Sequence, residues 1–125
     1  MKELTRAEEE IMQILWKIKK GFVKDIVIMI PEPRPAYNTV STIVRILEKK
    51  GFIDHKAYGK THEYFPIVSK DTYTKTFMKG VVKDYFSNSF KQMVSFFTNG
   101  QKISLKELEE VKQMMESEIS KKKKK

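Results

Sequence analysis

Asn38, Ser41, Thr42, Arg45 and Lys49 are the residues of this chain whose types and spacing combine into one chemistry. On a helical wheel they share the face opposite Val40, Ile43, Val44 and Leu47, which fall into a single apolar stripe. The polar face is rich in donors and free of carboxylates; Glu48, the only acid of the segment, lies off it. Asn pairs bidentately with adenine, and Arg pairs with guanine or clamps a phosphate. Ser and Thr reach phosphates or offer a methyl to thymine. An ordinary solvated face is the alternative, but such faces usually mix both signs of charge. The pattern therefore points to a helix that reads the major groove of DNA. A second group, Lys56, Tyr58 and Lys60 with His55 nearby, forms a basic and aromatic tip suited to phosphates or the minor groove. A plain hairpin turn is the alternative there.

Several elements must position these groups. Thr5-Arg6-Ala7-Glu8 has capping-box spacing ahead of Ile11, Ile14, Leu15 and Ile18, which recur at helical intervals up to Gly21. Phe22-Val23 reads as a very short strand or extended entry, and Lys24 to Ile30 as a second helix ended by Pro31. Pro31, Pro33 and Pro35 make a rigid connector. The third helix runs from about Tyr37 to Lys50 and stops at Gly51. Phe52 to Ala57 and Thr61 to Phe65 flank Tyr58-Gly59-Lys60 as a β-hairpin. Three helices and a hairpin in that order make a winged helix, with the second and third helices as its helix-turn-helix and the hairpin as its wing. Beyond it, Ser69 to Ser87, Asn88 or Ser89 to Gly100, and a segment capped by Ser104 and ending near Ile119 all read as helix. The expected fold class is α+β, mostly α. The expected domains are a winged-helix domain at 1–68, a helical dimerisation domain at 69–120 and a disordered lysine tail at 121–125.

Composition narrows the function. Cys is absent, which removes disulfides, thiolate metal sites and a Cys nucleophile, and two His are too few for an all-His metal site. No Gly-rich phosphate loop is present, and Asp25, Asp54 and Glu63 are scattered, so neither a catalytic set nor a cofactor is expected. His55 and His62 read as strand surface residues and no metal site is assigned to them. The longest apolar run, Ile26 to Ile30, is far too short to span a bilayer. With no apolar leader after Met1-Lys2-Glu3, the expectation is a cytoplasmic protein without membrane insertion. The chain holds 25 basic and 16 acidic side chains, a net charge of +9, which favours an anionic partner. Lys121 to Lys125 supply five of those charges without pattern, so the case for DNA rests on the third helix.

Leu4-Thr5-Arg6-Ala7-Glu8 followed by Ile14-Leu15-Trp16 resembles the opening of the penicillinase-repressor family, BlaI/MecI/CopY. Thr39-Val40 with Leu47-Glu48-Lys49-Lys50-Gly51-Phe52-Ile53 resembles that family's recognition helix and its exit, and brings Thr39 into the expected DNA-binding set. Tyr64-Phe65-Pro66 matches the end of its wing, and Ser104 with Glu107-Leu108-Glu109-Glu110 its last helix. The resemblance implies a dimeric winged-helix repressor of palindromic operators, with intertwined C-terminal helices. In the β-lactam branch, a membrane sensor protease triggers cleavage of the repressor. Counting back from Ser104 places the corresponding bond at Phe96-Phe97, with Phe96 where relatives carry Asn. The copper branch's C-terminal Cys cluster has no counterpart here.

Phe77, Val81, Val82, Tyr85, Phe86, Phe90, Met93, Val94, Phe96 and Phe97 crowd a segment too short to bury them against itself. An exposed patch of that kind marks an interface, and Met114, Met115 and Ile119 extend it into the last helix. The expected partner is a second copy with an isologous contact. A winged helix used as a protein–protein adaptor, without specific DNA binding, is the alternative function; it predicts a monomer with no salt-dependent affinity for DNA.

Overall fold

The Thr5 hydroxyl accepts from the Glu8 N–H at 3.2 Å, and the Glu8 carboxylate accepts from the Thr5 N–H at 2.8 Å. This capping box starts α1, Arg6–Ile18, in the computed structural model, which describes residues 1–124. At the entry to α2, Val23–Met29, the Asp25 side chain accepts from the Phe22 N–H at 2.9 Å. Phe22 is thus the extended entry to the helix, its cap, and not a strand. Arg34 donates to the carbonyls of Ile30 at 2.8 Å and Ile28 at 3.1 Å and pairs with Glu32, tying the proline connector to the end of α2. The third helix, α3, spans Tyr37–Lys49.

Strands β1, Ile53–Tyr58, and β2, Thr61–Pro66, pair antiparallel with His55 opposite Tyr64 and Tyr58 opposite Thr61. Gly59, at a φ of 63°, opens the two-residue turn, where a side chain would be strained. Helices α4, Lys70–Phe86, α5, Phe90–Gly100, and α6, Leu105–Lys123, follow. The fold is α+β and mostly α, as expected.

Two compact units result, Met1–Met78 and Lys79–Lys125. In the first, Ile11, Met12 and Leu15 of α1 pack with Ile26 of α2, with Val40, Val44 and Leu47 of α3, and with Phe52 and Ile53 at the start of the wing. Ile43 is partly buried at the edge of this core, so the apolar stripe expected of the third helix is the one that packs. The division falls inside α4, not before it at residue 69, because Tyr73 is drawn into the core. Its ring lies 5.5 Å from Trp16 and 6.0 Å from Phe52, and its hydroxyl donates to Glu9 at 2.9 Å. Burial and that bond to a carboxylate push the Tyr73 hydroxyl up to about 12.

In the second unit, Ser87 and Asn88 adopt left-handed φ values of 53° and 61° and separate α4 from α5. The Ser89 and Ser104 hydroxyls cap α5 and α6 by accepting from the Gln92 and Glu107 N–H groups, each at 3.1 Å. None of its described residues is buried. The sequence predicts a last helix ending near Ile119 and a disordered 121–125. The structure instead carries Lys121 to Lys123 as helix, and Lys125 lies outside the described residues. Lys forms helix well and suits the negative end of the helix dipole. Among the described residues no helix is long and apolar enough to cross a membrane.

Two features of the first unit are open to test. Glu8 is almost fully buried and pairs with Lys50 at 2.6 Å. Burial pushes its carboxyl up, but the bonds and charge of Lys50 and the Thr5 N–H outweigh that and hold it below its ordinary value of 4.5. A folded value below the unfolded one means that the stabilisation is complete above the unfolded value and drains away as pH falls through the folded one. Urea unfolding should show stability lost below 4.5, and Glu8→Gln should cost about 1.5–3 kcal/mol at neutral pH while flattening the acid dependence. Gly21 is the second feature: a Cβ there would meet Ile18 Cδ1 at 2.8 Å and Asp25 Cβ at 3.3 Å. Gly21→Ala should destabilise by about 1–3 kcal/mol in the same measurement.

Candidate nucleic-acid interface

The outer face of α3 presents the sequence-predicted residues. Asn38, Thr39, Thr42, Arg45 and Lys49 are exposed and Ser41 is half-buried. Burial of Val40, Val44 and Leu47 turns this face outward. Two of these residues are held by their neighbours. Thr42 donates to the Asn38 carbonyl at 2.9 Å, and the Arg45 guanidinium donates to the Ser41 hydroxyl at 3.1 Å. The i,i+4 contact keeps the guanidinium along the helix with further donors free.

Beside α3 the wing closes a groove of about 580 Å³, lined by Lys24, Tyr37, Ser41, Arg45, Glu48, Lys60 and His62 among others. Of the expected residues the groove gathers Ser41, Arg45 and Lys60; Asn38, Thr39, Thr42 and Lys49 lie on α3 outside its lining. Lys56 and Tyr58 are exposed on the wing, with the Lys56 ammonium 5.2 Å from the Tyr58 ring centroid. Tyr58 also leans on Phe22, 5.9 Å away between ring centroids, so the wing tip is braced against the entry to α2.

Tyr37 and Lys24 also line the groove without standing out in the sequence. Tyr37 is the exposed first residue of α3, and its place at the start of the helix that carries the donor face was the available signal. Lys24 joins the groove because the Gly21 N–H donates to the Tyr64 carbonyl at 2.9 Å and the Tyr64 N–H donates back at 2.8 Å. That bridge has no signature in the sequence. Burial, then the charge of Glu48, pushes the Tyr64 hydroxyl up against a smaller pull from Arg45.

His55 and His62 lie on the strands of the wing, as expected, but they also interact in a way the sequence does not display. His55 and His62 are half-buried on one pleat face and stack in parallel, 4.0 Å between ring centroids and 7° between planes. His55 Nδ1 lies 2.5 Å from a carboxylate oxygen of Glu48. The hairpin register explains the stack, since it places the two residues diagonally across the strand pair. Helical spacing carries no trace of it, because the two rings meet across a hairpin.

Three helices, a hairpin and an outward donor face on the third helix define a winged-helix DNA-binding domain. The solution structure of the DNA-binding domain of the repressor BlaI has this fold. It matches with a TM-score of 0.50 at 25% identity, over 58% of this chain and 94% of that one. The sequence profile of the penicillinase repressor family matches residues 4–117, and the chain belongs to that family of DNA-binding transcriptional repressors. The methicillin resistance regulatory protein MecI of Mammaliicoccus sciuri is 28% identical over 114 residues, 90% of this chain and 93% of that protein. The penicillinase repressor of Bacillus licheniformis is 22% identical over 122 residues, 97% of this chain and 95% of that protein.

Proposed function

We propose that the chain represses transcription as a homodimer on a palindromic operator in the cytoplasm, and that loss of the dimer releases it. The observation that carries the reading is the outward donor face of α3 beside a groove with three basic residues. In this reading α3 enters the major groove with Asn38, Thr39, Ser41, Thr42, Arg45 and Lys49. Lys56, Tyr58 and Lys60 lie along the adjoining backbone. The bound dimer blocks the promoter sterically.

The second unit supports the dimer. Tyr85, Phe90, Phe96, Phe97 and Met114 are all exposed, and Val81, Phe86, Met93 and Val94 are only half-buried. Its aromatic rings already meet at Phe86–Phe96, 5.6 Å, and Phe96–Phe97, 5.5 Å, without closing a core. A second copy supplies the missing apolar surface. Phe77, also expected in that interface, belongs to the first unit, where it stacks on Tyr73 at 6.1 Å and remains half exposed.

The bond between Phe96 and Phe97 lies inside α5. Proteases commonly take extended chain, so cleavage by a sensor-triggered protease requires α5 to open locally. A helix with no buried residue opens at small cost in the free chain and at a larger one in the dimer.

Operator titrations test the interface. Arg45→Ala should cost about 1–3 kcal/mol and relax preference at one base pair if Arg45 reads a base; a phosphate contact would give a loss equal across sequences. Unchanged affinity in both Arg45→Ala and Asn38→Ala removes α3 as the reading helix.

Truncation tests the switch. Fragments 1–96 and 1–78 should sediment as monomers and bind the operator far more weakly than the full chain, because two linked half-sites gain from effective concentration. Phe90→Ala should weaken the dimer by about 3–5 kcal/mol. A 1–96 fragment that stays dimeric with full affinity excludes release by cleavage at this bond.

A further inference from the structure

We infer that Glu48, Asp54 and His55 form a site for one divalent transition-metal ion, joining the last turn of α3 to the first strand of the wing. One ligand atom from each, the Nδ1 or Nε2 of His55 and a carboxylate oxygen of each acid, lies within 4.8 Å of the others. Zinc holds nitrogen and oxygen ligands at about 2.0–2.2 Å, which sets tetrahedral ligands a little over 3 Å apart. Ligand atoms within 4.8 Å of one another stand close to that spacing, and Asp54 is exposed.

Two further observations pre-organise the site. The His62 ring, stacked 4.0 Å away, and Tyr64, at 5.7 Å, fix the plane of His55. The Asp54 carboxylate accepts from the His55 backbone N–H at 2.7 Å, which holds it beside the imidazole it must join. The ligands come from two elements linked by a short turn in which Gly51 takes a φ of 87°. One imidazole and two carboxylates, with positions left for water, suit zinc, cobalt, nickel or manganese. The imidazole disfavours magnesium and calcium. The absence of Cys excludes thiolate sites, but leaves this mixed donor set open.

The site has a consequence that rests on the repressor reading. Glu48 borders the groove beside Arg45, and a carboxylate there repels a phosphate backbone. An ion held by Glu48 and Asp54 cancels both charges and pins the wing to α3. Operator affinity should therefore rise with the ion.

The test uses the full chain. Zinc chloride is titrated calorimetrically without DNA, and cobalt(II) chloride is followed by its visible absorption. One ion per chain is expected, with at least a tenfold loss of affinity in His55→Ala, Glu48→Gln and Asp54→Asn, and none in Glu63→Gln. Circular dichroism confirms folding, and the exposed Asp54 gives a variant whose fold is not at risk. No uptake at millimolar zinc, or uptake that survives all three substitutions, overturns the site. With DNA, zinc should raise operator affinity several-fold in the wild type and leave His55→Ala unchanged. A chain that takes up zinc yet binds operator equally with and without it overturns the coupling to the wing. A chain that takes up zinc but binds no operator under any condition counts against the repressor reading and upholds the ion site.

Discussion

The wing of a small winged helix has to be held against the helices, or the groove beside α3 has no second wall. Here the clasp is a pair of backbone hydrogen bonds, Gly21 to Tyr64 and back, at 2.9 and 2.8 Å. Backbone bonds are directional and short, so they fix the register as well as the distance. A Cβ at residue 21 would crowd the end of the Ile18 side chain and Asp25 Cβ, so glycine lets the strand approach without displacing them. Once Tyr64 is clipped in place, its ring is buried, Tyr58 reaches Phe22, and His62 and Lys60 arrive at the groove. The Asp25 cap on Phe22 and the Arg34 clamp on the end of α2 then fix the helix that carries Lys24.

Electrostatics divides the first unit into a structural and a working part. Its one buried charged residue, Glu8, is compensated by Lys50, 2.6 Å away, and by its helix cap. Arg34 spends its charge on carbonyls and Glu32. On the face of α3, by contrast, Arg45 meets only a serine hydroxyl at 3.1 Å. Buried charges need partners, whereas a reading face works by keeping its donors unsatisfied until the ligand arrives. The sequence signal for this division was the lack of acids on one helical face.

What was legible in the sequence was local and periodic. The capping box at Thr5, the stripe of Val40, Val44 and Leu47, and the turn at Gly59 each depend on residues within a few positions of one another. Less legible was whatever depends on contacts distant in sequence. Tyr73 looks like part of a helix running away from the winged helix, yet Trp16, Phe52 and Glu9 draw it into the first core. The pairing of His55 with His62 and Glu48 depends on hairpin register and on the turn after α3, which no helical wheel displays. The lysine run was read by composition as a tail, but helix propensity and the helix dipole favour continuing α6.

The two units differ in what holds them. Residues 1–78 contain a core with several side chains removed from solvent altogether, whereas 79–124 contain none that is buried. A unit without a core has little stability of its own and gains most of it from whatever covers its aromatic surface. If that cover is a second copy, the folding of the second unit and the pairing of chains become one equilibrium. Any event that opens α5 then removes both together. The first unit needs no such help to keep α3 and the wing in place, so the same event would leave a folded reading head stripped of its second half-site. Under the proposed dimer, repression fails through loss of avidity with the DNA-facing surface intact, and the unequal distribution of apolar burial is what permits it.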